Sequence, residues 1–281
     1  MPIVEIETKD KIPLFGYLFE AKNSETVLIN IHGTAGNFYE NKYMMFLAKS
    51  MNNKKISVLS TNNRGAGVMH VYPHAGAALE HFEDCILDID AWIEFALKKY
   101  QNIILQGHSL GSEKVVYYMN KGKYKNDIKC IILLGPADSY GETYRTLKNK
   151  MNIVMREAKK VAKKNKEQFL TSVWLCHGNV LPKSADSFLN FFSKNSELSK
   201  ALPLRKGKEL ELYQRIEVPI LIVIGDKEEY TIIPIKKALE LMTKENVNAE
   251  CHQIKNCNHD FENKEKKLSG IVLDFLQKMN L

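Results

Sequence analysis

Ser109 lies at the centre of the sequence Gly107-His108-Ser109-Leu110-Gly111. The apolar stretch 102–106 before it is typical of a strand, and residues 113–120 after it have the pattern of a helix. A Gly-x-Ser-x-Gly sequence between a strand and a helix predicts a sharp turn that raises the serine hydroxyl above the edge of a sheet. Both glycines are needed, because a larger side chain would block the close crossing of strand and helix. Ser109 is therefore predicted to be a nucleophile.

A serine that attacks a carbonyl group needs donors for the negative charge that develops on the oxygen. Two backbone N–H groups are candidates for this oxyanion hole. Leu110 directly follows Ser109 at the start of the predicted helix, where the helix dipole also favours negative charge. Thr34 follows His32-Gly33 at the end of an apolar strand. An ordinary turn is the alternative interpretation of His32-Gly33-Thr34.

A serine hydroxyl also needs a base to take its proton, and the base needs a carboxylate to orient it. His259 is the candidate base because it lies in the loop after the last predicted strand. Three acids follow predicted strands and compete as the third member: Asp138, Asp226 and Glu228. All these residues lie at carboxyl ends of strands, where an open parallel sheet forms its sites.

The other histidines are interpreted as structural or surface residues. His108 is expected to point away from the site, and His32 is expected to hold its own loop through a local hydrogen bond. Three histidines lie near the loop after the fourth predicted strand: His70, His74 and His81. Their spacing is irregular and does not favour a metal site. We therefore expect neither a metal nor an organic cofactor.

Cys176 stands beside His177 and offers an alternative nucleophile. No second base lies near this pair in the sequence, so the pair argues only weakly for cysteine chemistry. Ser109 remains the predicted nucleophile.

The elements around these residues alternate between strands and helices, which predicts a mostly parallel sheet of about eight strands with right-handed crossovers. The first two strands form an antiparallel hairpin at one edge. The predicted strands are residues 3–8, 12–19, 26–31, 56–60, 102–106, 128–134, 218–225 and 248–254. The predicted helices of this pattern are 39–51, 80–100, 113–120, 234–244 and 268–279.

The alternation stops after Asp138, and residues 139–215 are interpreted as an inserted helical cap. Residues 1–138 and 216–281 then form the core domain. Phe188, Phe191 and Phe192 in the cap could line a substrate pocket or pack the cap onto the body. Lysines crowd residues 159–166, which is typical of a solvated helix end, with attraction of anionic substrates as the alternative.

The composition is that of an ordinary globular protein, with 44% hydrophobic and 26% charged residues among 281. A net charge of +7 does not by itself indicate a nucleic-acid partner. No apolar run has the length of a membrane span, and residues 1–5 lack the pattern of a secretory signal. The five cysteines fit neither a zinc site nor a disulfide framework, so we expect a cytoplasmic protein. The sequence does not indicate an oligomeric state.

The motifs together resemble those of the α/β-hydrolase superfamily over nearly the whole chain. The stretches that carry the resemblance are residues 107–111, 32–34, 225–228 and 258–261. A second set of stretches, 32–41, 82–85 and 182–188, is similar to a little-characterised group related to fungal siderophore esterases. This second similarity does not imply a siderophore substrate.

The resemblance implies an α/β-hydrolase fold and a triad in the chain order serine, acid, histidine. Members of the superfamily usually carry Asp three residues after the glycine that ends the seventh strand. Here that position is Glu228, three residues after Gly225, so Glu228 is favoured over Asp226 and Asp138. Asp226 is expected to hold backbone N–H groups of its own loop instead.

The predicted function is hydrolysis of a small carboxylic ester through an acyl-enzyme on Ser109, with His259 and Glu228. A thioesterase, an amidase or an acyltransferase would use the same residues. A non-catalytic ligand-binding protein on the same fold is the alternative from another class.

Overall fold

The chain is described by a computed structural model that covers residues 3–69, 72, 75–171, 181–227 and 230–281. Its centre is an eight-stranded sheet in the order β1-β2-β4-β3-β5-β6-β7-β8. The strands are β1 Ile3–Glu7, β2 Pro13–Phe19, β3 Thr26–Ile31, β4 Ile56–Thr61, β5 Asn102–His108, β6 Ile128–Leu134, β7 Ile220–Gly225 and β8 Ala249–Ile254. Strands β1 and β2 pair antiparallel at one edge, as predicted, and β2 joins β4 antiparallel.

The six strands from β4 to β8 in the sheet order pair in parallel. Every residue of β3, β4 and β7 is buried. Strands buried on both faces need continuous apolar sequence, and this is the reason that 26–31 reads as one apolar run. The predicted α/β fold with a mostly parallel sheet is confirmed.

Helices cover both faces of the sheet. Those of the described residues are α1 Lys42–Asn52, α2 Cys85–Leu97, α3 Leu110–Lys121, α4 Ser139–Leu147, α5 Met151–Ala162, α6 Ala185–Phe192, α7 Leu198–Ala201, α8 Glu211–Gln214, α9 Ile235–Glu245 and α10 Glu265–Lys278. Among the described residues, none of these helices combines the length and the apolar character that crossing a membrane requires.

The sheet separates two apolar cores. Val27, Ile29 and Ile31 of β3 face the core that α2 and α3 cover. Leu28 faces the core under α1 and α10. This alternation follows from the period of two in a strand. Packing on both faces holds the sheet in place, and with it the edge at which the parallel strands end.

Several predicted boundaries differ from the structure by a few residues. Helix α1 begins at Lys42 rather than near residue 39, and its buried face carries Tyr43, Met44 and Leu47, whereas Phe46 is 52% exposed. Strand β7 begins at Ile220 because Pro219 has no N–H to donate to a neighbouring strand. Residues 82–84 form a 3₁₀ turn before α2.

Between β6 and β7 the described residues contribute no strand to the sheet, as the sequence predicts. Helices α4 to α8 fill this stretch, and they share one apolar core with α2 and α3. Leu147, Met151 and Val154 of the insertion belong to that core. The division into a core domain, residues 1–138 and 216–281, and an inserted cap, residues 139–215, stays a prediction, because shared packing alone does not define a domain.

Candidate functional site

The predicted sharp turn forms at Ser109, between β5 and α3. Ser109 has φ 56° and ψ −125°, a backbone conformation that an L residue adopts only under constraint, at a cost of about 1–3 kcal/mol. A Cβ on Gly107 would lie 2.3 Å from the Gly111 carbonyl oxygen, and one on Gly111 would lie 2.2 Å from the Ile31 oxygen. Both glycines are therefore required by the crossing, as the sequence predicts.

Ser109 opens into a cavity of about 430 Å³. Three other residues of the predicted site also line this cavity: Thr34, Leu110 and His259. They come from the ends of β3, β5 and β8, which the parallel pairing brings to one edge of the sheet. The topology thus assembles at one place residues that are up to 225 positions apart in the sequence.

The two predicted oxyanion donors meet at Ser109. A Cβ on Gly33 would lie 2.8 Å from the Ser109 Cβ and 3.3 Å from its Oγ, so the turn that carries Thr34 passes directly beside Ser109. Among the described residues, no protein acceptor takes the N–H of Thr34 or Leu110. Unpaired N–H groups beside the serine hydroxyl are the arrangement that stabilises an oxyanion.

His32 holds this turn in place, as expected. Its Nδ1–H donates to the Gly33 carbonyl oxygen at 2.7 Å, and its Nε2 accepts from the Asn63 N–H at 3.0 Å. Burial lowers the pKa of His32 to about 4. The ring is therefore neutral at pH 7, and both nitrogens serve the loop rather than the substrate.

The expectation that His108 points away from the site is wrong. Its ring lies 4.6 Å from the ring of His259, centroid to centroid, and its Nε2–H donates to the His259 carbonyl oxygen at 3.0 Å. Tyr43 and Phe261 pack against the same ring. Burial and the neighbouring His259 lower the pKa of His108 to about 3. His108 is a neutral support that positions His259.

We expect the buried neutral histidines to make the protein acid-sensitive. His32 and His108 bind a proton only near pH 4 and pH 3 when folded, whereas the unfolded chain binds it near pH 6.5. The unfolded state therefore holds more protons below pH 6.5, and the free energy of unfolding falls as the pH falls. Each histidine should contribute a slope of about 1.4 kcal/mol per pH unit between pH 6 and pH 4.5. Urea unfolding at several pH values measures this slope.

Variants separate these two histidines from the other titrating groups. The slope should decrease in His108→Gln and in His32→Gln. A wild-type free energy that stays constant between pH 7 and pH 5 would contradict the expectation.

Asp226 has a structural role, but it holds mainly the loop after β8, whereas the sequence analysis expected it to hold its own loop. Its Oδ1 accepts the Cys257 N–H at 3.0 Å. Backbone hydrogen bonds from Cys257 and Asn256 lower the pKa of this carboxyl. Asp226 therefore holds the turn two residues before His259.

Asp138 is also committed to structural contacts. Its fully buried carboxylate accepts the Gly141 N–H at 2.8 Å as the N-cap of α4, and it pairs with the Arg205 guanidinium at 2.6 Å. The Arg205 N–H donates to the other oxygen at 2.8 Å. Glu228, the favoured acid, lies outside the described residues, so its place as the third member stays a prediction.

The histidines and the cysteine considered for other chemistry are only partly described. His81 pairs with Asp186 at 3.1 Å. His70 and His74, like Cys176 and His177, lie outside the described residues. Among the remaining cysteines, three are buried: Cys85, Cys130 and Cys257. Within the described ranges, no group of three or more histidine, cysteine and acidic residues could hold a metal ion.

Helix α6 supplies part of the cavity wall. Phe191 and Phe192 line the cavity, whereas Phe188 is fully buried among neighbouring side chains. Aromatic residues of one helix thus have two roles: Phe191 and Phe192 line the cavity, and Phe188 packs. The predicted alternatives, a pocket wall and packing, both occur within the same cluster.

Lys183 is a cavity residue that the sequence analysis did not identify. Its ammonium group donates to the Ala77 carbonyl oxygen at 2.6 Å and to Ser187 Oγ at 3.0 Å, and it lies 3.7 Å from the centre of the Phe191 ring. Burial lowers its pKa to about 8. The sequence carried one signal, because Lys183 lies within the stretch 182–188 of the second similarity. These contacts tie α6 to the loop before α2.

Tyr230 is a second residue that the sequence analysis missed. It lines the cavity, and its ring meets the His259 ring edge-on at 4.6 Å. The Tyr230 carbonyl oxygen accepts the Asp138 N–H at 3.0 Å. Only the three-dimensional proximity of the loops after β6, β7 and β8 reveals this role.

Comparisons with known proteins agree with this fold. Est1E from Butyrivibrio proteoclasticus superposes with a TM-score of 0.68 at 20% identity, covering 99% of this chain and 98% of that one. A soluble variant of monoglyceride lipase from Saccharomyces cerevisiae superposes with a TM-score of 0.69 at 17% identity, over 99% and 96% of the two chains. At these identities the similarity establishes the α/β-hydrolase fold.

Sequence relatives point in the same direction. A Mycoplasma genitalium protein named "Putative esterase/lipase 3" is 29% identical over 192 residues, and the match spans 66% of this chain and 66% of that protein. The model of a family described as serine aminopeptidase, S33, matches residues 22–266, which is most of the chain. The chain belongs to this S33 serine aminopeptidase family of the α/β-hydrolase superfamily.

Proposed function

We propose that the protein hydrolyses carboxylic esters through a covalent acyl intermediate on Ser109. The observation that carries this proposal is the meeting of Ser109, His259 and two unpaired backbone N–H groups in one cavity. The relative from Mycoplasma genitalium, whose name describes an esterase or lipase, supports the choice of esters within the family.

In the first half of the proposed reaction, His259 takes the hydroxyl proton as Ser109 Oγ bonds to the substrate carbonyl carbon. The carbonyl oxygen becomes an oxyanion, which the N–H groups of Thr34 and Leu110 stabilise. The C–O bond to the alcohol then breaks, and the alcohol leaves with the proton from His259. The acyl group stays on Ser109 as an ester.

In the second half, His259 takes a proton from water, and the oxygen of that water attacks the acyl carbon. The bond to Ser109 breaks, the serine recovers the proton, and the acid is released. Glu228 is proposed to orient the imidazole of His259 and to stabilise its protonated form. His108 holds the backbone of His259 throughout.

The cavity favours an uncharged substrate of modest size. A volume of about 430 Å³ lies at the small end of the range for small-molecule sites. Among the described residues, the charged members of its wall are Glu40, Asp260, Glu142, which pairs with Arg145, and Lys183, whose ammonium group is occupied by its contacts with the protein. An anionic ester would meet repulsion from Glu40 and Asp260.

A fluorophosphonate probe and a panel of esters test the proposal together. We expect the probe to label Ser109, identified by peptide mass, and the panel to show turnover of uncharged esters with short or medium acyl chains. Thioesters and amides in the same panel distinguish the alternative activities. A folded protein that neither labels at Ser109 nor cleaves any member would instead be a ligand-binding protein.

The wall residues of α6 should control the choice of acyl chain. Replacing Phe191 or Phe192 by Leu changes the shape of the cavity, and we expect the ratio of kcat/KM between short and long acyl esters to change by about tenfold or more. Kinetics on a series of p-nitrophenyl esters measure this ratio.

Phe188→Leu is the matched control for these wall variants, because Phe188 lies on the same helix but only packs. It should lower the melting temperature and leave the substrate ratio unchanged. Equal changes of the substrate ratio and of the melting temperature in all three variants would show that the whole cluster only packs.

A further inference from the structure

Residues 148–166 carry the entire net charge of the protein. They contain eight of its 40 basic residues and one of its 33 acidic residues, so the remaining 262 residues hold 32 of each. The basic residues of this segment are Lys148, Lys150, Arg156, Lys159, Lys160, Lys163, Lys164 and Lys166. We call these eight side chains the basic face. All of them are exposed.

Six of the eight side chains of the basic face, Arg156 and the lysines from 159 to 166, have no carboxylate partner among the described residues. The one acid of the segment, Glu157, accepts hydrogen bonds from the Thr171 N–H and hydroxyl, both at 2.8 Å. A concentration of unpaired like charge costs stability through mutual repulsion, and an anionic partner would remove that cost.

Helix α5 shapes the centre of this face. Met151, Val154 and Ala158 are buried on its inner side. The period of 3.6 places Arg156, Lys159, Lys160 and Lys163 together on the outer side. A convex row of cations cannot enclose a small ligand, so it fits an extended anionic surface.

Two observations favour a lipid surface. Ile153 lies at the edge of the same outer arc and is 53% exposed, and an apolar side chain among cations is the pattern of helices that lie in the membrane interface. Residues 148–166 contain no Phe, Tyr or Trp, the side chains that stack on nucleic-acid bases.

The position of α5 relates this surface to the cavity. Its inner side packs against α6, and Phe191 and Phe192 of α6 form part of the cavity wall. We propose that the basic face docks the protein onto an anionic lipid surface, from which an uncharged ester enters the cavity. The choice of lipid as partner rests on the proposed ester hydrolysis.

Vesicle binding tests this proposal without turnover. The full chain carrying Ser109→Ala is sedimented with vesicles of phosphatidylcholine containing 30% phosphatidylglycerol, and with pure phosphatidylcholine vesicles. We expect binding to the anionic vesicles at 0.1 M salt, little binding to the neutral ones, and loss of binding at 0.5 M salt because salt screens exposed charges.

Charge variants locate the surface. Lys159→Gln, Lys160→Gln, Lys163→Gln and Lys164→Gln together should lower the partition coefficient by about 10²- to 10³-fold, since each lysine near an anionic surface contributes about 1 kcal/mol. The matched control removes an equal number of positive charges outside the basic face, at the exposed Lys236, Lys237, Lys266 and Lys267. It should retain binding within a few fold.

Three outcomes would overturn the docking surface. They are no binding to anionic vesicles, equal losses in the two fourfold variants, and tighter binding of a 30-base-pair DNA duplex than of vesicles at the same salt. Hydrolysis of water-soluble p-nitrophenyl acetate by the fourfold variant at the wild-type rate would support it. Absence of ester hydrolysis in the wild-type protein would overturn the proposed function, a result distinct from absence of vesicle binding.

Discussion

Ser109→Ala should remove ester hydrolysis while the fold remains. The proposed reaction passes through a covalent bond to Ser109 Oγ, and loss of a triad member lowers kcat by about 10⁴ to 10⁶. The turn itself should survive because its geometry depends on Gly107, Gly111 and the hydrogen bond from the Ser109 N–H to the Leu134 oxygen at 3.0 Å. Steady-state kinetics on the best ester of the panel, with thermal unfolding, measure both expectations.

Ser50→Ala on α1 is the matched control, since Ser50 does not line the cavity. It should keep full activity and react with the fluorophosphonate probe, whereas Ser109→Ala should do neither. A Ser109→Ala protein that retains a tenth of the wild-type rate would show that another group is the nucleophile.

Glu228→Gln should lower kcat by about 10⁴-fold, because an amide in place of the carboxylate no longer holds the histidine in the productive tautomer. The protein should remain as stable as the wild type. The other two candidate acids, Asp226 and Asp138, make a useful comparison, because the structure shows what their carboxylates bind. Activity and unfolding free energy measured on the three amide variants distinguish the roles.

Asp226→Asn should weaken the hydrogen bond to the Cys257 N–H and lower stability slightly. Asp138→Asn should weaken the pair with Arg205 and cost about 3 kcal/mol. Neither should approach the loss of kcat in Glu228→Gln once folded protein is compared. A nearly normal Glu228→Gln enzyme beside an inactive, stable Asp226→Asn enzyme would transfer the role of acid to Asp226.

The sharp turn was predictable because its requirements are local. Gly107 and Gly111 permit a close crossing that any side chain would prevent, and the strand before Ser109 is apolar because it is buried on both faces. The same reasoning located β3, β6 and β8 to within a residue. Burial and steric exclusion act on neighbouring residues, so they leave a readable pattern in the sequence.

The assembly of the site was predictable only in outline. The rule that parallel strands gather their carboxyl ends at one edge brought Thr34, Ser109 and His259 together correctly. It did not reveal that His108 supports His259, or that Tyr230 closes the same side of the cavity. These contacts depend on how loops from different strands pack.

The roles of the buried charges were decided by tertiary structure alone. Asp138 and Arg205 are 67 residues apart in the sequence, and nothing near either one indicates their pairing. Phe188 and Phe191 have the same side chain on one helix, yet one packs and the other lines the cavity. The sequence by itself determined the fold class, the sharp turn at Ser109 and the order of the catalytic candidates, because steric and burial constraints are local. Which carboxylate has structural partners, and which aromatic ring lines the cavity, depend on contacts between distant segments.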